Sequence, residues 1–505
     1  MKPIIDIHGF PLRQVGRTTH NIAASRGKRS TVMSGKAAGP NAAVNAELPT
    51  MRNRARDAVR NSPYIGNALR ALVKHEVGTG IRCLFLEEND AVREHLTEEW
   101  EKSLPNMFSD GIGHFYAGQR LGSRGRNESG EVFLRRRRRA ARTTDTVPMQ
   151  VQLLESDLLD TAYNVQLNNN NYVRAGIELN TRGDRVAYWF FKDHPDDQQT
   201  TFTPTAQRVR ILAKDVVHHY IPVRAGQLRG VPIHSSALFK NANLESYDDY
   251  ELERKKNHAS FTGTIERAAA FDSKGIQMDP LTGEHFDTDE EIPDVSFAAG
   301  VITQLGDGEE LNLFEAEKGG EFYADYMRQQ LMAISSAFGV PYELVTGDWK
   351  SVNDRILRAI LNDFQREIEA IQEIYLITQL CQSTLAWWMD AGVLAGTLKL
   401  PDYANLRDQY LKVDWRPQGW AYVHPLQDAQ AAVYRIENDL STHEKEARKL
   451  NTDSEKALAA NVKHMARKQE LMKENGIVTP EEAAAKAKED NPKKEDKNEV
   501  SKPSK

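Results

Sequence analysis

The sequence predicts a multidomain α+β protein, and three observations carry that expectation. Strand-like runs cluster between Asn127 and Tyr220, while helical stripes precede them over residues 51–73 and the C-terminal third is mostly helical. Between Ser235 and Leu380 the chain reads as helix, polar β-like insert, helix, short loop and very long helix. At 505 residues it exceeds one ordinary core, so roughly two to four domains are expected.

The elements follow in order. Residues 1–48 are rich in Gly, Ala, Ser, Thr and Asn without a period, and are expected to be a flexible arm. A helix, MRNRARDAVRN, follows Pro49-Thr50 with Thr50 as its cap, and Ser62-Pro63 interrupts it, because Pro suits the first turn of a new helix. Tyr64, Ala68, Leu69, Leu72 and Val73 then form an apolar stripe that Gly78-Thr79-Gly80 ends, before the strand-like Ile81–Phe85. EVFLRRRRR, VQLLES, AGIELNTRGDRVAYWFF and VRILAKDVVHHY have strand composition, with Arg182-Gly183-Asp184 as a hairpin turn. Arg135, Arg136, Arg137, Arg138 and Arg139 fall in the first of these runs. Alternate strand residues point to opposite faces, so the five form no single patch; a surface strand and a nucleic-acid or subunit contact both remain open.

The next helix is expected over Ser236–Asn257, the Gly-, Asp- and Thr-rich insert over Phe261–Phe314, and a second helix over Phe322–Phe338. Tyr323, Met327, Leu331, Ile334 and Phe338 give that second helix one apolar face. The loop Thr346–Lys350 opens a helix over Asn353–Cys381 that would span roughly 43 Å at 1.5 Å per residue. Ser351 and Asp354 fit a capping box at its start. Leu357, Leu361, Phe364, Ile368, Ile371 and Tyr375 are its expected buried stripe; Asp363, Arg366, Glu367 and Glu373 are left for solvent or a neighbouring subunit. The last third is helical, punctuated by Trp387-Trp388-Met389, Gly392 and Pro417-Gln418-Gly419-Trp420. Beyond Met465 the mixed-charge tail has too few apolar residues to fold by itself.

Composition narrows the function. The chain is 40% hydrophobic and 27% charged, its mean hydropathy is -0.60, and no apolar run approaches a membrane span. The N-terminus lacks the apolar core and cleavage site of a secretory signal. Cys83 and Cys381 sit in apolar contexts nearly 300 residues apart, as buried free thiols in a reducing compartment would. The net charge is -6, yet residues 1–60 carry eleven Lys/Arg against three Asp/Glu, which leaves -14 on the remainder. Such an arm fits either a negatively charged partner or a solvated tail.

Catalytic signatures are missing. The sequence contains no G-x-x-x-x-G-K-[ST], G-x-G-x-x-G, H-E-x-x-H, G-x-S-x-G or C-x-x-C pattern. His218, His219 and His234 are the nearest approach to a metal cluster, but adjacent strand histidines diverge. Asp287-Thr288-Asp289-Glu290-Glu291 could collect a divalent ion, as a metal-dependent nuclease or protease would require, yet it sits in a Gly- and Pro-flanked stretch that reads as a solvated loop. A DNA-binding regulator is a further alternative, motivated by the basic arm and Arg135–Arg139. No cofactor or metal is expected.

Four strings then occur in a telling order: Arg54–Ile81, VHHYIPVRAGQLRGVPIHSSAL (Val217–Leu238), LMAISSAFGVPYELVTGD (Leu331–Asp348) and DWRPQGWAYVHPLQDAQA (Asp414–Ala431). Together, spanning roughly residues 45–475, the chain resembles the lambda-type portal proteins of tailed bacteriophages. The resemblance implies a non-enzymatic ring, dodecameric in the virion, at one capsid vertex. Implied partners are the large terminase subunit, major capsid and scaffold proteins, head–tail adaptor proteins and double-stranded DNA, with no membrane; the site of action is the virion, after assembly in the host cytoplasm. It also implies a basic arm over 1–48, a wing over 49–234, stem helices over 235–260 and 319–345, and a clip over 261–318. A tunnel loop over 346–352 would follow, then the long helix with remaining wing and crown over 353–464 and a disordered tail over 465–505. The tunnel loop makes Gly347, Asp348, Trp349, Lys350 and Ser351 the candidate DNA-channel residues. The junction SVNDRILRA departs from the Ser-rich, small-residue run of that family.

Overall fold

The computed structural model describes residues 39–475, apart from positions 112, 140–146, 169, 196–206, 261–263, 268–280, 283–308, 313–321, 351, 421–424 and 451. It opens with helix α1 (Pro40–Asn45), within the stretch expected to be a flexible arm. Asn41 anchors it, its side chain accepting from Leu228 N at 2.8 Å and donating to Gly226 O at 3.0 Å. Helix α2 (Leu48–Asn61) begins two residues before the expected cap, so Thr50 lies within its first turn. Pro49 needs no N–H partner there, and fully buried Leu48 fixes the entry. Ser62 then precedes α3 (Pro63–Glu76), which Pro63 opens as expected.

Strand β1 (Arg82–Phe85) leads to α4 (Asp90–Ser103) and α5 (Phe115–Ser129), two helices that the sequence analysis did not anticipate. Asn89 caps α4 by accepting from Ala91 N and Val92 N. A three-stranded antiparallel sheet follows, in the order β3 (Met149–Leu154), β2 (Glu131–Arg138), β9 (Val216–Tyr220). A second antiparallel sheet runs β4 (Val165–Gln166), β5 (Tyr172–Arg174), β6 (Ile177–Leu179), β7 (Arg185–Phe191), β8 (Arg208–Leu212). The β6–β7 hairpin turns at Gly183 with φ 90°. The run VRILAKDVVHHY is thus shared: β8 pairs with β7, and a short turn at Ala213–Asp215 hands β9 to β2. Phe133, Tyr188, Phe190 and Ile211 are buried between the sheets.

Helix α6 (Leu238–Ser260) precedes a short antiparallel ladder of β10 (Thr264–Arg267) and β11 (Glu309–Asn312), which closes the root of the insert. Helix α7 (Tyr323–Phe338) returns, and Gly339 ends it with φ 66°. The short helix α8 (Tyr342–Thr346) and α9 (Asp354–Ile371) come next. The expected end at Cys381 does not exist. A π-helical stretch, Gln372–Cys381, continues α9 directly into α10 (Gln382–Ala395). Bonds from i to i+5 widen the turn, so burial steps from Ile371 to Leu376 and Cys381, and Tyr375 is only half-buried. Trp387, Trp388 and Met389, expected as punctuation, are buried inside α10, where Trp388 meets Trp100 edge-to-face at 5.0 Å. Beyond lie α11 (Tyr403–Tyr410), β12 (Val413–Arg416), α12 (Pro425–Glu437), α13 (His443–Lys449) and α14 (Ser454–Glu474). β12 pairs with β1, more than three hundred positions earlier. Helix α14 carries helical structure past Met465, to Glu474, into the first ten residues of the expected tail; the tail beyond 475 lies outside the described residues. Among the described residues, no helix is long and apolar enough to cross a membrane.

One buried carboxylate joins the sheets to the helices. Glu131 Oε1 accepts from Arg52 Nη2 at 2.6 Å and Arg229 Nε at 2.8 Å; Oε2 accepts from His218 Nε2 and Gly230 N, both at 2.8 Å. Gly130 (φ 89°) and Gly230 touch backbone to backbone, and a side chain at either would collide with the other strand of chain. Burial alone would raise the Glu131 carboxyl; Arg229, Arg52 and the His218 bond outweigh it and hold the group well below the usual carboxylate range. Burial lowers His218 to about 4, against the opposing pull of Glu131, and its Nδ1 accepts from Arg185 at 2.9 Å. His219, on the other face of β9, donates from Nδ1 to Gln379 Oε1 at 2.8 Å, and burial lowers it to about 3.

Both rings therefore stay neutral in the fold while the unfolded chain protonates them near 6.5. The unfolded state binds more protons below that value, so stability present above pH 6.5 is lost as pH falls toward 4. Calorimetric melting temperatures are expected to decline across this window, and His219→Gln to flatten the decline. A profile level down to pH 4 would contradict this account.

Candidate functional site

The loop between α8 and α9 is the site the sequence singled out, and its geometry follows from its neighbours. Gly339 lets the chain reverse after α7, and Val340 and Val345 pack into the core shared by Leu69, Leu72, Phe338, Phe364 and Ile368. Asn67 of α3 donates to Leu344 O at 3.0 Å and Val345 O at 2.8 Å. A helix end leaves carbonyls unpartnered; here one side chain from a different helix takes two of them. Gly347 then turns outward with φ 73°.

Within the loop the bonds are local. Thr346 Oγ1 donates to Tyr342 O at 2.9 Å and accepts from Asp348 N at 3.2 Å. Asp348 Oδ1 accepts from Lys350 N, also at 3.2 Å, and Val352 N donates to Trp349 O at 3.3 Å. Gly347 and Lys350 are exposed, Asp348 is half-buried, and Trp349 is 46% exposed. Ser351 lies outside the described residues. The expected capping box is corrected: Asn353 caps α9, its side chain accepting from Ile356 N at 2.9 Å. Asn353 directly precedes the first helical residue, where a short polar side chain reaches the third N–H. Ile356, in the first turn beyond, is 49% exposed. The loop is therefore a braced base carrying an exposed aromatic ring and an exposed ammonium group.

The other candidates separate. Arg135 to Arg138 lie on β2 and Arg139 just past its end. Arg136 bonds Asp215, with Nε at 2.9 Å from Oδ1, whereas burial and then the charge of Arg137 lower Arg135. His234 Nε2 donates to Ala55 O at 3.2 Å and its ring stacks on Phe338, remote in role from His218 and His219. Asp287–Glu291 lies outside the described residues. Cys381 is buried, Cys83 only half-buried, and both thiols are free. Burial raises both. Glu155, Asp157 and His194 bring ligand atoms within 4.8 Å of one another, a grouping no spacing in the sequence announced. Arg56 and Arg52 already pair with Asp157, so the position is electrostatically poor for a cation. Sequence reasoning also missed Asn67 and Gln372. Gln372 donates to His75 O at 3.2 Å and Glu76 O at 2.9 Å, tying the π segment to the end of α3. A polar residue at the edge of an apolar helical stripe was the one available signal.

Comparison with known proteins gives a consistent result. The family model described as "Phage portal protein, lambda family" matches residues 26–372. A probable portal protein of Halomonas phage phiHAP-1 is 28% identical over 399 residues, covering 77% of this chain and 74% of that protein. Portal protein B of Escherichia phage lambda is 22% identical over 459 residues, covering 81% and 82%. Among solved structures, a chain from the neck of an empty GTA particle is 15% identical with a TM-score of 0.47, covering 80% of this chain and 94% of that one. A chain from the virion of a native gene transfer agent particle is 14% identical with a TM-score of 0.44, covering 80% and 93%.

Asn353→Ala removes the cap of α9 and is expected to cost about 1 kcal/mol. Urea unfolding should show the midpoint shifted down with an unchanged slope; an unshifted midpoint would mean that the cap contributes nothing.

Proposed function

The chain belongs to the lambda family of phage portal proteins, and from that membership we propose that it closes into a dodecameric ring at one capsid vertex. The ring is the channel through which double-stranded DNA is packaged and later ejected. The large terminase subunit docks during packaging, and head–tail adaptor proteins afterwards; major capsid and scaffold proteins surround the ring during assembly in the host cytoplasm. The chain itself is structural, and the ATP-driven work belongs to its partner.

In this reading α2 through β9 form the wing, and α6 and α7 are the stem helices. The β10–β11 ladder is the root of the clip, and the segment from Thr346 to Val352 is the tunnel loop. Helix α9 and its continuation lead to the remaining wing and a crown of α12–α14. The observation that carries the loop assignment is the exposure of Trp349 and Lys350 on a base braced by Asn67 and Asn353. A ring repeats each cation once per subunit, and every neutralised phosphate strengthens salt-dependent binding. The -14 balance outside the first 60 residues leaves an excess of fixed anions, which favours passage of DNA over capture. Ring closure needs two different, complementary faces on each subunit. The long helices, apolar on one side and charged on the other, are suited to supply them.

Electron microscopy of the purified protein is expected to show closed rings; monomers or small oligomers under all conditions would count heavily against this function. Lys350→Glu is expected to leave ring assembly intact and reduce DNA packaging severalfold in a packaging assay with terminase. Normal packaging by that variant would remove Lys350 from the channel.

A further inference from the structure

Arginines converge where β2 leaves its sheet. Arg136, Arg138 and Arg139 line a cavity of about 450 Å³ together with Met149, Asp390 and Leu394. Arg136 and Arg138 share it because residues two apart on a strand face the same way. Asp215 and the Trp387 ring, 5.9 Å from the guanidinium carbon, hold Arg136 in place, so this cation is preorganised. Arg138 is exposed.

The nearby carboxylates offset only part of this charge. Asp215 pairs with Arg136, and Asp390, though it feels the Arg136 charge, accepts its hydrogen bonds from Arg407 at 2.8 and 3.0 Å and from Tyr403 at 2.7 Å, which leaves exposed Arg138 as the main open cation. Beside Asp390, Leu394 on the last turn of α10 is 85% exposed. A phosphate backbone would use the guanidinium groups and gain nothing from the leucine. A chain carrying carboxylates and one apolar side chain satisfies both halves, since guanidinium–carboxylate bonds fix its position and a buried anchor supplies the affinity.

We propose that this cleft docks an acidic, leucine-bearing segment of a partner protein, with Arg136 and Arg138 on its carboxylates and Leu394 beneath its apolar side chain. The site is separate from the DNA-facing loop and goes beyond the channel reading. Its success or failure leaves that reading untouched.

Fluorescence anisotropy on the purified full-length chain tests it with three labelled probes: a short peptide alternating glutamate and leucine, a matching glutamate–serine peptide, and a short DNA duplex. The glutamate–leucine peptide should bind at least about tenfold more tightly than the serine version, a difference of about 1.4 kcal/mol. Arg138→Glu and Leu394→Ser should each weaken it by a similar factor. Both positions are exposed, so unchanged melting temperatures will show that the variants fold. Equal binding of the two peptides, indifference to either substitution, or a preference for the duplex that Arg138→Glu abolishes would overturn the proposal.

Discussion

A buried carboxylate must find a partner for each lone pair, and Glu131 meets that requirement by drawing four parts of the chain to one point. Arg52 comes from α2, His218 from β9, and Arg229 and Gly230 from the segment that feeds α6. Removing either arginine would take a buried cationic partner from this carboxylate in a low-dielectric interior, a cost of several kcal/mol. Everything downstream inherits this geometry. The connection into α6 is positioned by Arg229, which also donates to the carbonyl oxygens of Ser156, Leu159 and Ala175. The close approach of Gly130 and Gly230 is what lets the Gly230 amide reach the carboxylate at all.

The loop is fixed by a second set of polar contacts at a distance from that hub. Helix α3 is the common support. Asn67 near its start takes the carbonyls that end α8, and Gln372 of the π segment takes those that end α3 itself. Gln379, seven residues along, accepts from Tyr220 N and donates to Tyr220 O, which ties the same segment to β9. The π stretch is therefore clamped on two sides, and its wider turn lets both glutamines face inward while the apolar residues keep their burial. An exposed Trp349 and Lys350 on such a base are held by backbone constraints rather than by packing of their own side chains.

Much of this was legible in local pattern. Pro63 after Ser62, the apolar stripe of α7 and Gly347 at the head of the loop each follow from a conformational preference that acts over a few residues. The places where expectation and structure part are those where distant contacts decide. Thr50 is no cap because buried Leu48 pulls the helix start forward; Tyr375 leaves the buried stripe because the helix widens; Trp388 is core because Trp100 meets it from far along the chain, and Trp387 is buried with its Nε1 donating to Lys214 O. The site divides in the same way. Its glycine and its exposed Trp–Lys pair were visible in the string, whereas Asn67 and the cleft at Arg138 were not.

The sequence by itself determined many of the element types, the helix–insert–helix–loop–helix order, the absence of catalytic signatures and the family resemblance. All of these depend on spacing within a few turns or on short strings in order. Only the tertiary structure decided that β1 pairs with β12, that β8 and β9 part into different sheets, and that Glu131 gathers two arginines and a histidine. The reason is physical: propensity and periodicity are properties of neighbours along the chain. The desolvation of a charge, by contrast, is settled by whichever groups the folded chain brings within hydrogen-bonding distance.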